Sequence, residues 1–341
     1  MKAVTINHAG KIILFILTLS VFQLKAQNHF DEFIEAGEVD ANIIYKAYSD
    51  PILQGLNYGF GRGWYNTAKS HEKFGVDFSI NVVIAYVPEK DHFYSTADLT
   101  QQFIQNGGNT RFVGSTSKYP TMVGPESPQP VFEVYNPEFD TYEQITGPAG
   151  FSFTNSIVKQ AVPVVIPQFG IGLFKNTDIK LRFLPKVGSS DVKLNMFGIG
   201  VMHDIKQWIP GNSVIPIDIA LLVGYTHFGL DVLKIEDDND EGHFKLNSVT
   251  YQLLVSKTLK VITFYGGFGY IDGYSKVNIK GEYDVAASLT PIIDPVNFKS
   301  KSTGMNGALG VRLAIKVLTL HCDYTIQDYN ALSFGFGFSI R

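Results

Sequence analysis

The chain has 341 residues, of which 45% are hydrophobic, 13% aromatic and 18% charged, with 32 glycines and a formal net charge of −4. It holds no run of about 18 apolar residues, which excludes a helical membrane span, and its single cysteine, Cys322, excludes an internal disulfide framework or a cysteine-based zinc site. The acidic balance argues against a nucleic-acid binder, which would carry a basic patch; few charges with many aromatics and glycines suit short alternating strands instead.

Residues 1–26 read as a secretory signal peptide. Lys2 and Lys11 lie before an apolar stretch over 12–22, and Leu24-Lys25-Ala26 offers a cleavage site. Its removal takes three lysines and no acid, which moves the formal charge from −4 to −7. Residues 30–56 form the one clearly helical region. Asp40 is placed to cap a helix starting at Ala41, and Ala41, Ile44, Tyr45 and Tyr48 then share one face. Ser49-Asp50-Pro51 predicts a stop and restart. Such a region either covers a sheet edge as a helix pair or plugs a barrel; the expected division is a plug over 27–57 and a barrel over 58–341.

From Tyr58 on, period two dominates. Over 75–87, Val76, Phe78, Ile80, Val82, Ile84 and Tyr86 point one way, and Asp77, Ser79, Asn81, Val83, Ala85 and Val87 the other. Over 305–317 the apolar face holds Met305, Leu309, Val311, Leu313, Ile315 and Val317, and the opposite face carries Arg312 and Lys316. Further strands are expected over 58–68, 163–174, 178–184, 192–203, 216–228, 229–235, 244–257, 260–274, 275–285, 318–326 and 332–340. That makes 12–14 strands, long enough for tilted strands that cross a bilayer. Two insertions break the rhythm: the Pro-rich 89–160 and the polar 286–303. Outer-membrane barrels pair short turns with long loops in this way. The last strand alternates Leu332, Phe334, Phe336, Phe338 and Ile340 with small residues. It resembles the C-terminal strand that outer-membrane proteins present to the barrel-assembly machinery, except that it ends in Arg341 where many end in Phe.

The segments PQFGIGLFKNTDIKLRFLPK, FGIGVMHDIKQWIPG and PIDIALLVGYTHF within 167–228, and GWYNTAKSHEKFGVDFSINVV over 63–83, resemble an uncharacterised family of exported proteins from Gram-negative bacteria. The resemblance implies an outer-membrane barrel, more loosely similar to the fatty-acid (FadL-type) and aromatic-hydrocarbon transporters, which have fourteen strands and an N-terminal hatch. It carries over no ligand-binding residue.

Chemistry-bearing patterns are sparse. The run Asp237, Asp238, Asn239, Asp240, Glu241 and Gly242 begins like a calcium loop, but Ser248 stands where the closing Glu belongs; a solvated hairpin tip is the simpler reading. His29, His71, His92, His203, His227, His243 and His321 show no metal spacing, and no G-x-S-x-G elbow occurs. The glycines of YGGFGYIDG read as close strand packing rather than a phosphate loop. Asp77, Asn81, Lys180, Arg182, Arg312, Lys316, His321 and Asp323 are the candidate lumen-lining residues, bracing the wall or tuning passage. Tyr86, Trp64 and Trp208 suit an interfacial girdle.

The expectation is therefore an all-β transmembrane barrel with an N-terminal helical plug, in contact with outer-membrane lipid and lipopolysaccharide. Neither enzyme activity nor a cofactor is expected. The expected function is passive uptake of a hydrophobic or small amphipathic molecule. The alternative function is a structural barrel that binds a partner through 89–160, and the rival fold is a soluble periplasmic β-sandwich.

Overall fold

A computed structural model describes residues 31–340, apart from 152–159, 212–214, 234–239 and 286. The expected signal peptide and Asp237 to Asn239 lie outside the described residues. Ten strands close into an antiparallel barrel: β1 (Val76–Tyr86), β2 (Ala161–Gly172), β3 (Thr177–Gly188), β4 (Val192–Asp204), β5 (Asp218–Val232), β6 (Glu241–Leu259), β7 (Ile262–Lys280), β8 (Val296–Ile315), β9 (Leu318–Ile326) and β10 (Ala331–Ile340). Each strand pairs with its neighbours in sequence, and β1 closes on β10 with Val76 opposite Ile340. The even count places the start of β1 and the end of β10 at one rim, where β6–β7 and β8–β9 also turn tightly. The longest connections, 87–160 and 281–295, lie at the other rim.

The expected 12–14 strands overcount. The strands expected to begin at 229 and 275 do not begin there. Gly229 sits mid-ladder in β5, opposite Asn195 and Lys245, and Ser275 sits mid-ladder in β7, opposite Leu246 and Ser300. Residues 58–68 are not a strand either, since a helix ends there. The second part of the expected loop over 286–303, from Val296 on, is the first part of β8. Turn-type residues mislead here because β5 to β8, at 15–20 residues, outrun the roughly 9–11 that a tilted bilayer-crossing strand needs.

Alternation sorts the faces as the sequence predicts. Phe78 of β1 and Phe334, Phe336 and Phe338 of β10 are exposed on the outer surface, while Ser79, Asn81, Val83, Ala85 and Ser333 are buried inside. Large apolar side chains, Phe197, Leu221, Val223, Leu253, Phe264, Phe268, Leu309 and Leu320 among them, continue this outer face around the wall.

The ladder is incomplete at one place. β2 pairs with β1 along Ala161–Ile171, but with β3 only over Gln168–Gly172 against Arg182–Asp178. Ala161–Pro167 has no ladder on the β3 side among the described residues. Pro163 and Pro167 lie in that stretch and Pro185 lies across from it. A proline has no N–H to give, so three prolines flank a seam in the long-loop half of the wall.

Inside runs the N-terminal segment. A 3-10 turn (Asp31–Ala36) leads into α1 (Gly37–Phe60), which starts before the expected Ala41 and continues through Pro51. Asp40 is not a helix cap; its Oδ2 accepts from the amides of Asn109 (2.9 Å) and Thr110 (2.8 Å) in the long loop. That loop is folded over the rim. It contains α2 (Thr96–Asn106), capped by Ser95 and ended by left-handed Gly107, and a small sheet of Arg111–Phe112, Val131–Asn136 and Thr141–Thr146. Phe103, Tyr119 and Phe132 from the loop pack on Phe33, Tyr45 and Tyr48, together with Val296 and Phe298 of β8. Plug, cap and wall thus share one apolar core at the long-loop rim.

Candidate functional site: the plugged lumen

After α1 the chain continues down the lumen to Gly75, beyond the expected plug limit of 57, and then turns into β1. Three contacts hold it. At the end of α1, Arg182 of β3 is fully buried and divides its donors between plug and wall: Nη1 donates to the Phe60 carbonyl (2.7 Å) and Thr226 Oγ1 (3.1 Å), Nη2 to the Arg62 carbonyl (2.6 Å), and Nε to Gln168 Oε1 (3.1 Å). A cation at a helix C-terminus also meets the negative end of the helix dipole. The guanidinium lies 3.5 Å from the Trp64 ring centroid.

Trp64, 1% exposed, is therefore no girdle residue. Its ring lies on Gly200 of β4 and Gly224 of β5, where an added Cβ would come within 2.7 and 2.5 Å of it. Arg62 reaches the far wall, where Nη1 donates to Asn306 Oδ1 (2.7 Å). Trp208 is exposed at the short-turn rim and donates through Nε1 to His203 (3.0 Å).

The third contact lies at the short-turn end. His71 donates its backbone N–H to Asp178 Oδ1 (2.9 Å) and its Nδ1–H to Oδ2 (2.9 Å). Ser339 Oγ stands 3.3 Å from His71 Nε2. The connectivity is that of an acyl-transfer triad, but Asp77 Oδ1 stands 3.6 Å from the same nitrogen. The adjoining cavity is about 10 Å³, room for about one water. The arrangement ties the plug at His71 to β3 through Asp178 and to β10 through Ser339.

Of the eight lumen candidates, Asp77, Asn81, Lys180, Arg182, Arg312, His321 and Asp323 are all buried inside the barrel. Asp77, Lys180 and Arg312 border the small cavity with His71 and Asp178. Asn81 lies against Gly63 of the plug, Asn66 donates to His321 Nδ1 (3.5 Å), and Asp323 accepts from the Tyr265 hydroxyl (2.9 Å). Lys316 is the exception: β8 ends at Ile315, and Lys316 forms the exposed turn to β9 with φ 55°. Sequence reasoning missed Arg62, Trp64, His71 and Asp178. Asp178 was within reach, since it shares strand parity with Lys180 and Arg182. The others lie on a segment with no period. The acidic run is not wholly a solvated tip, because Asp240 is buried. Among the described residues no group of three His, Cys, Asp or Glu side chains is placed to hold a metal.

A second cavity, about 180 Å³, opens at the long-loop rim between α1, the loop and the β9–β10 turn. The Tyr329 hydroxyl there donates to Asp91 Oδ2 (2.9 Å). Burial, with the Asp91 carboxylate beside it, pushes the Tyr329 phenol well above its ordinary range, so it stays a neutral donor.

These features define a closed antiparallel barrel with an apolar outer face and a lumen filled by its own N-terminal segment. The chain belongs to the DUF6588 family, a family of unknown function, which matches residues 1–340. The resemblance to a family without assigned function agrees with that membership. Among solved structures the chain is similar to Ail, the attachment invasion locus protein of Yersinia pestis, at 10% identity over 79% of this chain and 99% of that chain, with a TM-score of 0.25. It is similar to the translocator domain of the autotransporter NalP from Neisseria meningitidis at 8% identity, over 80% and 90%, with a TM-score of 0.27. It is similar to a mutant of the TodX monoaromatic hydrocarbon channel at 7% identity, over 86% and 70%, with a TM-score of 0.25. No curated protein matches the chain. Likeness at this level says nothing of activity.

Proposed function

We propose that the protein is an outer-membrane barrel that passes a hydrophobic or small amphipathic molecule when its plug shifts. The location rests on an even number of antiparallel strands, an apolar outer face, tight turns at one rim and the longest loops at the other. The observation that carries the transport reading is the seam. The wall is unpaired between β2 and β3 along the stretch that α1 covers from inside, with Gly55 against Val162 and Gly59 against Val164. Behind the seam the lining is apolar: Val164, Ile166 and Met196 of the wall pack with Leu56 and Phe60 of the plug. An apolar molecule crosses a lipopolysaccharide leaflet poorly, and a seam backed by an apolar face gives it a lateral way into the bilayer once α1 withdraws. Beyond these apolar contacts the plug is anchored by hydrogen bonds to polar wall groups, which water can replace.

The test is a lock. A Cβ at Gly59 would stand 3.8 Å from that of Val164, within the range of a disulfide. In a Cys322→Ser background, Gly59→Cys with Val164→Cys ties α1 to β2 when oxidised. Uptake of the apolar dye N-phenylnaphthylamine is measured in cells with an intact lipopolysaccharide leaflet. The reduced variant is expected to take up dye faster than the oxidised one, which falls to the level of cells lacking the protein. Equal uptake in both states overturns the reading.

A further inference from the structure

We infer that a row of lysines on the outer face of β6, β7 and β8 binds the phosphorylated glycolipid of the outer leaflet, through the two phosphates of its lipid A headgroup. The inference rests on the outer-membrane location proposed above and not on passage through the seam.

Strand register builds the row. Lys245 of β6 stands directly opposite Lys276 of β7, and Lys276 directly opposite Lys299 of β8. Lys301 follows on β8, opposite Tyr274. Parity turns all four outward, since Tyr251 and Leu253 of β6, Tyr270 and Tyr274 of β7 and Met305 of β8 share their faces and are exposed. Lys245, Lys299 and Lys301 are exposed, and Lys276 between them is half-buried. Like charges directly opposed destabilise a strand pair, and here two such pairs follow one another.

The nearby acids do not relieve them. Asp231 is held by Lys186 (2.7 Å) and His243 (2.9 Å), and Glu241 by the same histidine (3.0 Å). Asp272 lies lower on the outer face of β7, opposite Val249 and Thr303. None of the four lysines makes an ion pair or hydrogen bond among the described residues. Lys299 Nζ lies 5.9 Å from the Tyr274 ring centroid. A phosphate between the ammonium groups replaces their repulsion by charge-assisted hydrogen bonds.

Height and surroundings select a lipid. From the tight turn at Ile262 up to Lys276, β7 runs past the roughly 9–11 residues that cross a bilayer. The row therefore stands at headgroup level on the long-loop side, which faces outward in such barrels. Below it on the same face come Tyr274, then Tyr270 beside Tyr251, and then Phe268 beside Leu253, all exposed. A lipid whose phosphates sit on the lysines lays its acyl chains along these side chains. A diacyl phospholipid brings one phosphate. Four ammonium groups spread over three strands, about 10 Å across, match two phosphates on one headgroup.

Native mass spectrometry of the full chain in non-ionic detergent tests this with bisphosphorylated lipid A, monophosphorylated lipid A and phosphatidylglycerol. Bisphosphorylated lipid A is expected to bind saturably, and about tenfold or more tighter than either comparison lipid. Lys245→Gln with Lys276→Gln and Lys299→Gln is expected to weaken it about a hundredfold. The same three positions changed to arginine are expected to keep it. Without lipid, the glutamine triple is expected to unfold in urea no earlier than the parent, because the repulsion is gone. Lipid A is expected to raise the parent's midpoint and not the variant's. Heat-modifiable gel migration shows that each variant still forms the barrel. Unchanged lipid A affinity in the glutamine triple, equal affinity for either comparison lipid, or no binding of lipid A overturns the inference. Lipid A binding with equal dye uptake in the locked and unlocked plug leaves the row standing and removes the passage. No lipid A binding by a chain that fractionates with the outer membrane removes the row and leaves the location.

Discussion

Arg182 is the residue on which the inside of the barrel turns. Its planar fork reaches two plug carbonyls, Phe60 and Arg62, from a position on the wall. A lysine carries one point charge and cannot reproduce that fork. Arg182→Lys is therefore expected to loosen the end of α1, and Arg182→Met to loosen it further, at about 1–3 kcal/mol for each buried carbonyl left unpaired. Planar-bilayer recordings should show brief open events in both variants, more often in Arg182→Met; unchanged conductance in Arg182→Met would mean that the plug is held elsewhere. Strand parity alone placed Arg182 inside. It could not show what Arg182 touches, because its partners are backbone atoms of a segment more than a hundred residues earlier.

Between elements, Trp64 sits closely on Gly200 and Gly224. A methyl at Gly224 would overlap the indole, and overpacking of this kind costs about 1–3 kcal/mol. Gly224→Ala is expected to push Trp64 off its seat and lower the unfolding midpoint in urea. In a Trp64→Ala background the same glycine change is expected to be near neutral, because the space is already free. The non-additivity of the two changes measures the contact. Additive effects would place the strain in the β5 backbone instead. Trp64 shows how element-level reading goes wrong: near a strand end in sequence it suits a girdle, but the segment that carries it is not a strand and is enclosed by the wall.

At the scale of the molecule, cap, plug and wall form one apolar cluster at the long-loop rim. The long loop is thus a lid on α1. Replacing 89–150 by a short Gly-Ser linker is expected to leave a heat-modifiable barrel, because the strand ladders do not involve the loop. It is expected to uncover Tyr45 and Tyr48 and make α1 a protease target, read as new cleavage between residues 37 and 60. A plug that stays resistant would show that the wall alone holds it.

The sequence by itself determined which residues of each strand face out and which face in. A strand between two unlike surroundings must alternate, so the composition of each face is written at every second position. It also placed a helix ahead of the strands, close to where α1 lies, and marked the stretches that join the strands at the long-loop rim. It did not determine how many strands there are. Gly229 and Ser275 carry turn chemistry, yet they sit in unbroken ladders because neighbours on both sides supply their hydrogen bonds. Nor did it show the path of residues 61–75. A segment enclosed on every side by a barrel wall has no solvent face and no lipid face, so it has no period to read; only the closed wall decides which of its side chains meets Arg182, Gly224 or Asp178. The seam is likewise a tertiary fact, since prolines mark where a ladder can stop and the plug behind them decides what the gap is for.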